Sequence, residues 1–195
     1  MLLSDVDLWE ALSCGDLEVS PMSKDRMQPA SIEMHLGNGL EIFTYPEDGG
    51  WAHQPLNDVL DPLNLPARYT ASVSLPYELP RNGFALASTL ERVALGDNLA
   101  ARVEGKSSLG RLGLGNHVTA GFIDPGFRGT VTLELHNVSP SAILLTAGMP
   151  IGQLCVFRLS SPAERPYGHP ELRSRYQGQQ GTTPSHGVDQ PKQNN

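Results

Sequence analysis

Residues 126–138 read GFRGTVTLELHNV. From Thr130 onward the side chains alternate: Val131, Leu133 and Leu135 fall on one face, and Thr132, Glu134 and His136 on the other. A period of two marks a strand with one buried face, because successive Cβ atoms point to opposite sides of a pleated backbone. Just before it, FIDPG at 122–126 sets Asp, Pro and Gly side by side, the chemistry of a tight turn. The pair predicts a hairpin with a fixed entry and a carboxylate, Glu134, in the middle of its second strand.

Outward from this stretch the same grammar recurs. Ser31–Leu36, Leu40–Tyr45, Phe84–Leu90, Leu99–Glu104, Ala142–Leu145 and Ile151–Leu159 are short apolar or β-branched runs, punctuated by many of the 20 Gly and 16 Pro. Closely spaced short strands predict an all-β barrel or sandwich. One helix is expected, over Ser4–Ser13, with Ser4 as N-cap, Asp7 at the reciprocal capping position, Gly15 as the stop and Val6, Trp9 and Leu12 on one face. Glu47–Ala71 has no clear period and reads as a long surface excursion. From Gly181 the chain holds one Val and no other large apolar residue, which predicts a polar, mobile tail at 181–195 behind a single domain at 1–180.

The bulk properties narrow the classes. A chain of 195 residues suffices for one domain with a real core. Its net charge of −7 argues against general nucleic-acid binding, which needs a basic face. No apolar run approaches the ~18 residues of a membrane span. The start, MLLSDVDLWEAL, lacks the basic n-region of a signal peptide, so a cytoplasmic setting is expected. The two cysteines, Cys14 and Cys155, are too far apart for a Cys-x-x-Cys metal site and read as small packing residues.

GKSSLGRLGLG, at 105–115, begins like a phosphate-binding loop. A Walker A motif requires a glycine five residues before the Gly-Lys-Ser. Ala100 stands there instead, inside a run that reads as a strand. The loop is therefore not a P-loop, yet Lys106, Ser107, Ser108 and Arg111 remain a donor set suited to an anion.

EGKSSLGRLGLGNHVTAGFIDPGFRGTVTLELHN, residues 104–137, closely resembles the dCTP deaminase family of the dUTPase superfamily. QPASIEMHL (28–36), GFALASTLERVAL (83–95), GMPIGQL (148–154), RPYG (165–168) and SRYQGQQG (174–181) extend the likeness over most of residues 1–184. The resemblance implies a distorted jelly-roll or β-barrel of the dUTPase-like type, assembled as a homotrimer with active sites at subunit interfaces. It implies that Lys106, Ser107, Ser108, Leu109, Gly110 and Arg111 form the loop that meets the nucleotide, with Ser107 and Arg111 beside the phosphates and the catalytic water. Asp124 is expected to accept the deoxyribose 3′-hydroxyl, Phe127 to pack under the sugar, and Glu134 to be the deaminase general base. Ala120, Thr132, Leu133, Gln153, Tyr167 and Gln179 are implied as further nucleotide contacts, the last from a polar segment suited to a lid. Arg175 departs from the family, where Lys is usual; a guanidinium can still meet a phosphate, with different geometry.

The implied chemistry suits these residues. Zinc deaminases carry H-x-E and P-C-x-x-C, and this chain has neither. A carboxylate would then take the proton from water and deliver it to the base. Mg²⁺ is expected only through the triphosphate, with no ligand from the protein. Gly121-Phe122, following Thr-Ala, looks like the bifunctional branch that carries dCTP through to dUMP. Two other readings stand beside it: a deaminase that releases dUTP, and a non-catalytic trimeric nucleotide-binding protein. Inhibition by dTTP is a further expectation from the resemblance, and His117 stays open between an interface group and a regulatory one.

Overall fold

The computed structural model describes residues 1–43, 60–65 and 69–188. Most of the expected excursion at 47–71, and the last seven residues of the tail, lie outside them.

The chain opens with helix α1, Asp5–Cys14. Ser4 caps it as expected: its hydroxyl accepts from the Asp7 N–H, and Asp7 accepts in return from the Ser4 backbone N–H. Gly15, at φ +85°, ends it in the left-handed conformation that glycine adopts without penalty. The buried face is Leu8 and Ala11, whereas Val6 and Trp9 are exposed, so the expected stripe is corrected by one position along the turn. Cys14, expected as a packing residue, is exposed. Cys155 is half-buried, and burial, followed by the charge of Glu104, pushes its thiol up; a protonated thiol is a poor nucleophile.

Strands follow: β1 (Leu17–Ser20), β2 (Met27–Gln28), β3 (Ser31–Ile42), β4 (Ala71–Ser74), β5 (Tyr77–Leu79), β6 (Phe84–Leu95) and β7 (Leu99–Gly105). A helical turn α2 (Ser107–Gly110) precedes β8 (Leu114–Gly115), β9 (Phe122–Ile123), β10 (Arg128–Asn137), β11 (Ile143–Leu145) and β12 (Pro150–Arg158). The protein is thus the all-β fold expected. Its main sheet runs β8-β10-β6-β3-β12-β7-β9, curled around leucines such as Leu17, Leu36, Leu95, Leu133 and Leu135, all fully buried. Each contributes about 1.5–3 kcal/mol by leaving water.

Two expectations about connectivity change. The runs at 31–36 and 40–45 are one strand as far as Ile42, because Gly37-Asn38-Gly39 forms a bulge rather than a turn. A Cβ on Gly37 would lie 2.8 Å from Ser88 Oγ and 3.0 Å from Ser88 O, so the glycine answers to close packing. The predicted hairpin at 122–138 is a corner. β9 pairs with β7, and β10 pairs with β6, so the Asp-Pro-Gly turn carries the chain from one end of the curled sheet to the other. Residues 114–123 close the resulting seam, since β8 pairs with β10 at one end and β9 with β7 at the other.

Candidate active site

Glu134 lies on β10 beneath this seam. Its backbone N–H donates to the Asn116 carbonyl at 3.1 Å, and its Oε2 accepts from the Val118 N–H at 2.8 Å. Asn116 is buried, and its Nδ2 donates to Glu104 O on β7 at 3.1 Å. The seam segment therefore holds the Glu134 backbone through the Asn116 carbonyl and its carboxylate through the Val118 N–H, while Asn116 Nδ2 ties the same segment to β7. Neither Asn116 nor the Val118 amide was marked by the sequence reading; an asparagine directly after the LGLG run at 112–115 was the available signal.

The corner is locked from the C-terminal side. Gly126, at φ +84°, leaves room for Pro166 and Tyr167, since a Cβ there would sit 2.6 Å from Pro166 Cβ. The Tyr167 N–H donates to Pro125 O at 2.7 Å, and its ring tilts against Phe127 with centroids 5.9 Å apart. Residues 176–182 then run beside the start of β10. The Gly178 N–H donates to Arg128 O at 2.7 Å, and the Thr130 N–H to Gln179 O at 3.1 Å. Gln179 Nε2 donates to Thr130 O at 2.7 Å and reaches Thr132 Oγ1 at 3.3 Å. Gln177, which the sequence reading passed over, bonds to the Arg128 N–H and to the carbonyls of Gly126 and Tyr167. Beyond Gly181, Thr182 donates to Gly39 O and Ser185 O accepts from Tyr69, so residues 181–188 are also bonded to the body. Arg175 donates to His186 O at 3.2 Å.

Asp124, Phe127, Thr132, Glu134, Tyr167, Arg175 and Gln179 thus belong to the corner, β10 and the segment docked on it. Phe127 is only 8% exposed and is part of the core. The Leu133 side chain is 1% exposed and faces the core. Lys106 and Gln153 are held elsewhere: Lys106 Nζ by Glu33 Oε2, and Gln153 by the Ser31 hydroxyl at 2.9 Å and Gly105 O at 3.4 Å. Ser107, Ser108 and Arg111 are exposed on α2 and its C-terminal edge, with Gly110 exposed and Leu109 packed against the core. Ala120 is exposed on the seam. Gly121 is buried, and its carbonyl accepts from the Val103 N–H at 2.9 Å. A cleft of about 380 Å³ opens where β3 bulges away from β6; it shares Thr130 with β10 but does not include Glu134. Among the described residues, no three His, Cys, Asp or Glu side chains gather around one point that suits a metal ion.

The family model described as dCTP deaminase-like matches residues 2–159. The "dCTP deaminase, dUMP-forming" of Salinispora arenicola is 50% identical over 189 residues, spanning 95% of this chain and 94% of that protein. The protein of the same name from Thermobifida fusca is 49% identical over 189 residues, spanning 95% and 92%. Among solved structures, the 2′-deoxycytidine 5′-triphosphate deaminase of Agrobacterium tumefaciens superposes with a TM-score of 0.59 at 19% identity, over 80% of this chain and 47% of that one. This chain therefore spans just under half the length of that protein, and the likeness speaks to the fold.

Proposed function

The chain belongs to the dCTP deaminase-like family, and from that premise we infer that it converts dCTP and two waters into dUMP, pyrophosphate and ammonia. The activity is that of a hydrolase supplying dUMP for thymidylate synthesis. The observation that carries it is near-half identity, over almost the full length of both partners, to dUMP-forming deaminases.

The residue roles are those that the family resemblance implies. Glu134 takes a proton from the water that attacks C4 and returns it to the departing amine as ammonia. Its hold on the Val118 N–H supports that role, because a fixed carboxylate meets water in one orientation. Arg111 offsets charge at the tetrahedral intermediate, and Ser107 and Ser108 join Lys106 on the phosphates. Asp124 accepts the 3′-hydroxyl, Phe127 and Tyr167 bound the sugar, and Gln153, Arg175 and Gln179 complete the nucleotide contacts. A second water then attacks the α-phosphorus and pyrophosphate leaves; Asp124 is the candidate for positioning that water.

The loop's donors are ammonium, guanidinium and hydroxyl groups, which suit phosphate oxygens rather than a cation. Mg²⁺ therefore fits as part of the substrate, held by the triphosphate, where it supplies charge neutralisation for the leaving pyrophosphate. A homotrimer with sites at subunit interfaces is favoured by Leu112, Val118 and Phe122, apolar side chains left exposed around the seam of one chain. dTTP is proposed as an inhibitor at the same loop. Among the described residues no helix is long and apolar enough to cross a membrane, and a cytoplasmic setting is proposed.

Incubating the protein with dCTP and Mg²⁺ and resolving the products tests the reading. Ammonia, dUMP and pyrophosphate in equal amounts are expected. Stoichiometric accumulation of dUTP would support the dUTP-releasing alternative, and binding without turnover the non-catalytic one.

A further inference from the structure

Five charged or titratable side chains form a continuous line from the interior to the nucleotide loop: Arg26, Glu91, His35, Glu33 and Lys106. At the inner end the Glu91 side chain is 0% exposed. Its Oε1 accepts from Arg26 at 2.5 Å and pairs with His35 Nδ1 at 2.9 Å, while Oε2 accepts the His35 backbone N–H at 2.9 Å. Arg26, in the helical turn at Lys24–Arg26, also donates to Pro21 O at 2.8 Å. At the outer end Glu33 Oε2 holds Lys106 Nζ, and Glu33 Oε1 lies 3.6 Å from His35 Nε2. Asp25, beside Arg26, also feels the charge of His35. The opposing β12 register places Pro150 against His35 and Gln153 against Glu33, which brings no further charge.

The hydrogen-bond roles follow. A carboxylate only accepts, so Glu91 fixes the proton of the neutral ring on Nδ1. Nε2 then turns a lone pair toward Glu33, and 3.6 Å is too long for a hydrogen bond. In that state Glu33 is left to Lys106. Protonation places an N–H on Nε2, which faces Glu33 and competes with Lys106 for it. With the ring neutral, Arg26 and Lys106 balance Glu91 and Glu33; protonation adds one positive charge to the line.

We propose that Glu33 and His35 are positioning residues for the triphosphate: Glu33 holds the Lys106 ammonium in the free protein, and the charge on His35 sets how firmly. The inference rests on the reading that Lys106 contacts the triphosphate. Nucleotide binding then exchanges a carboxylate for a phosphate oxygen on the same ammonium. A charged His35 takes part of Glu33, eases that exchange and adds favourable charge, so both effects lower KM as pH falls. Glu134 stands in a different set of contacts, so kcat should not follow.

The test is kcat and KM for Mg²⁺–dCTP measured across a pH series from about 5.5 to 8.5. His35→Arg, which carries a permanent charge between the same two carboxylates, is the reference; the wild-type to reference KM ratio cancels titration of the nucleotide itself. The ratio should rise with pH by about two- to fivefold, the worth of a partly exposed ion pair. Glu33→Gln, which frees Lys106 at every pH, should match the reference profile and serves alone if His35→Arg fails to melt cooperatively. A flat ratio, or a change confined to kcat or to melting temperature, overturns the proposal. Lys106→Met separates the two levels: a raised KM with a flat ratio sinks the relay alone, whereas an unchanged KM sinks the assignment of Lys106 to the triphosphate.

Discussion

Replacing Glu134 by Gln tests the chemistry at its centre. The side chain keeps its length, and its amide oxygen can still accept from the Val118 N–H, which sits 2.8 Å from Glu134 Oε2. What is lost is the charge on that hydrogen bond, worth about 1 kcal/mol. For a domain of this size that is a fall of about 2–4 °C in melting temperature. Losing a general base costs about 10²- to 10⁴-fold, or about 2.7–5.4 kcal/mol of transition-state stabilisation. The catalytic effect therefore outweighs the structural one, and the two are measurable apart. Ammonia release can be followed by coupling to glutamate dehydrogenase at saturating Mg²⁺–dCTP, with products resolved by ion-exchange chromatography and folding checked by calorimetry. dCTP should still bind, and any hydrolysis of supplied dUTP should survive better than deamination. Ammonia release within about tenfold of wild type, by a folded protein, would remove Glu134 from the mechanism.

Asn116→Ala strips Glu104 O of its 3.1 Å partner and loosens the grip on Glu134, so a loss of about 1–3 kcal/mol in denaturant unfolding should accompany a fall in kcat larger than any change in KM. Gly121→Ala puts a Cβ 3.0 Å from Val103 O and 3.1 Å from His117 Nε2; the ratio of dUMP to dUTP produced should fall, and an unchanged ratio would detach Gly121 from the second step. Ending the chain after Gly168 removes the Gly178, Gln177 and Gln179 bonds to β10; calorimetric titration should show dCTP affinity weakened at least about tenfold, and normal affinity would refute the contact set. The Ser4 backbone N–H, then its hydroxyl, holds the Asp7 carboxyl below its ordinary 3.8. A lowered carboxylate stabilises the fold above its ordinary value and stops doing so as pH falls through the lowered one. Asp7→Asn should thus melt lower than wild type at pH 7, with the gap closing as pH falls below the ordinary value of 3.8 and through the lowered one.

What could be read from residues alone depended on how far apart the interacting partners stand. The alternation at 130–136 is local, and β10 was placed within two residues of its observed ends. The cap of α1 is local too, since Ser4 and Asp7 are three residues apart. Its buried face was not, because which side of α1 meets the sheet depends on β1 and β12. Short β1, β4 and β5 carry too few residues for a period to show. Gly37-Asn38-Gly39 has turn chemistry, and the bulge it forms instead packs against Ser88, 51 residues away in sequence. The place of Glu134 on its strand was legible from the alternation, whereas its hydrogen bonds to Asn116 and Val118 were not. Glu33 and Lys106, 73 residues apart, meet only because β3 and β7 both flank β12.

The corner at Asp124–Phe127 explains how Glu134 comes to lie beneath a seam. Had β9 and β10 paired as a hairpin, Glu134 would stand on an ordinary sheet face with water on one side. Instead the turn sends β10 to β6 and leaves β9 on β7, so residues 114–123 must cross the gap between them. A crossing segment with little regular pairing has backbone groups to satisfy. Here the Asn116 carbonyl and the Val118 N–H satisfy theirs on Glu134 itself. The same bonds that close the sheet therefore orient the carboxylate, and the exposed Val118 and Phe122 on that segment would offer the proposed neighbouring subunit an apolar surface to cover. Such a cover would exclude bulk water while leaving the reacting one in place, which is the condition a carboxylate needs to move a single proton from water to a base.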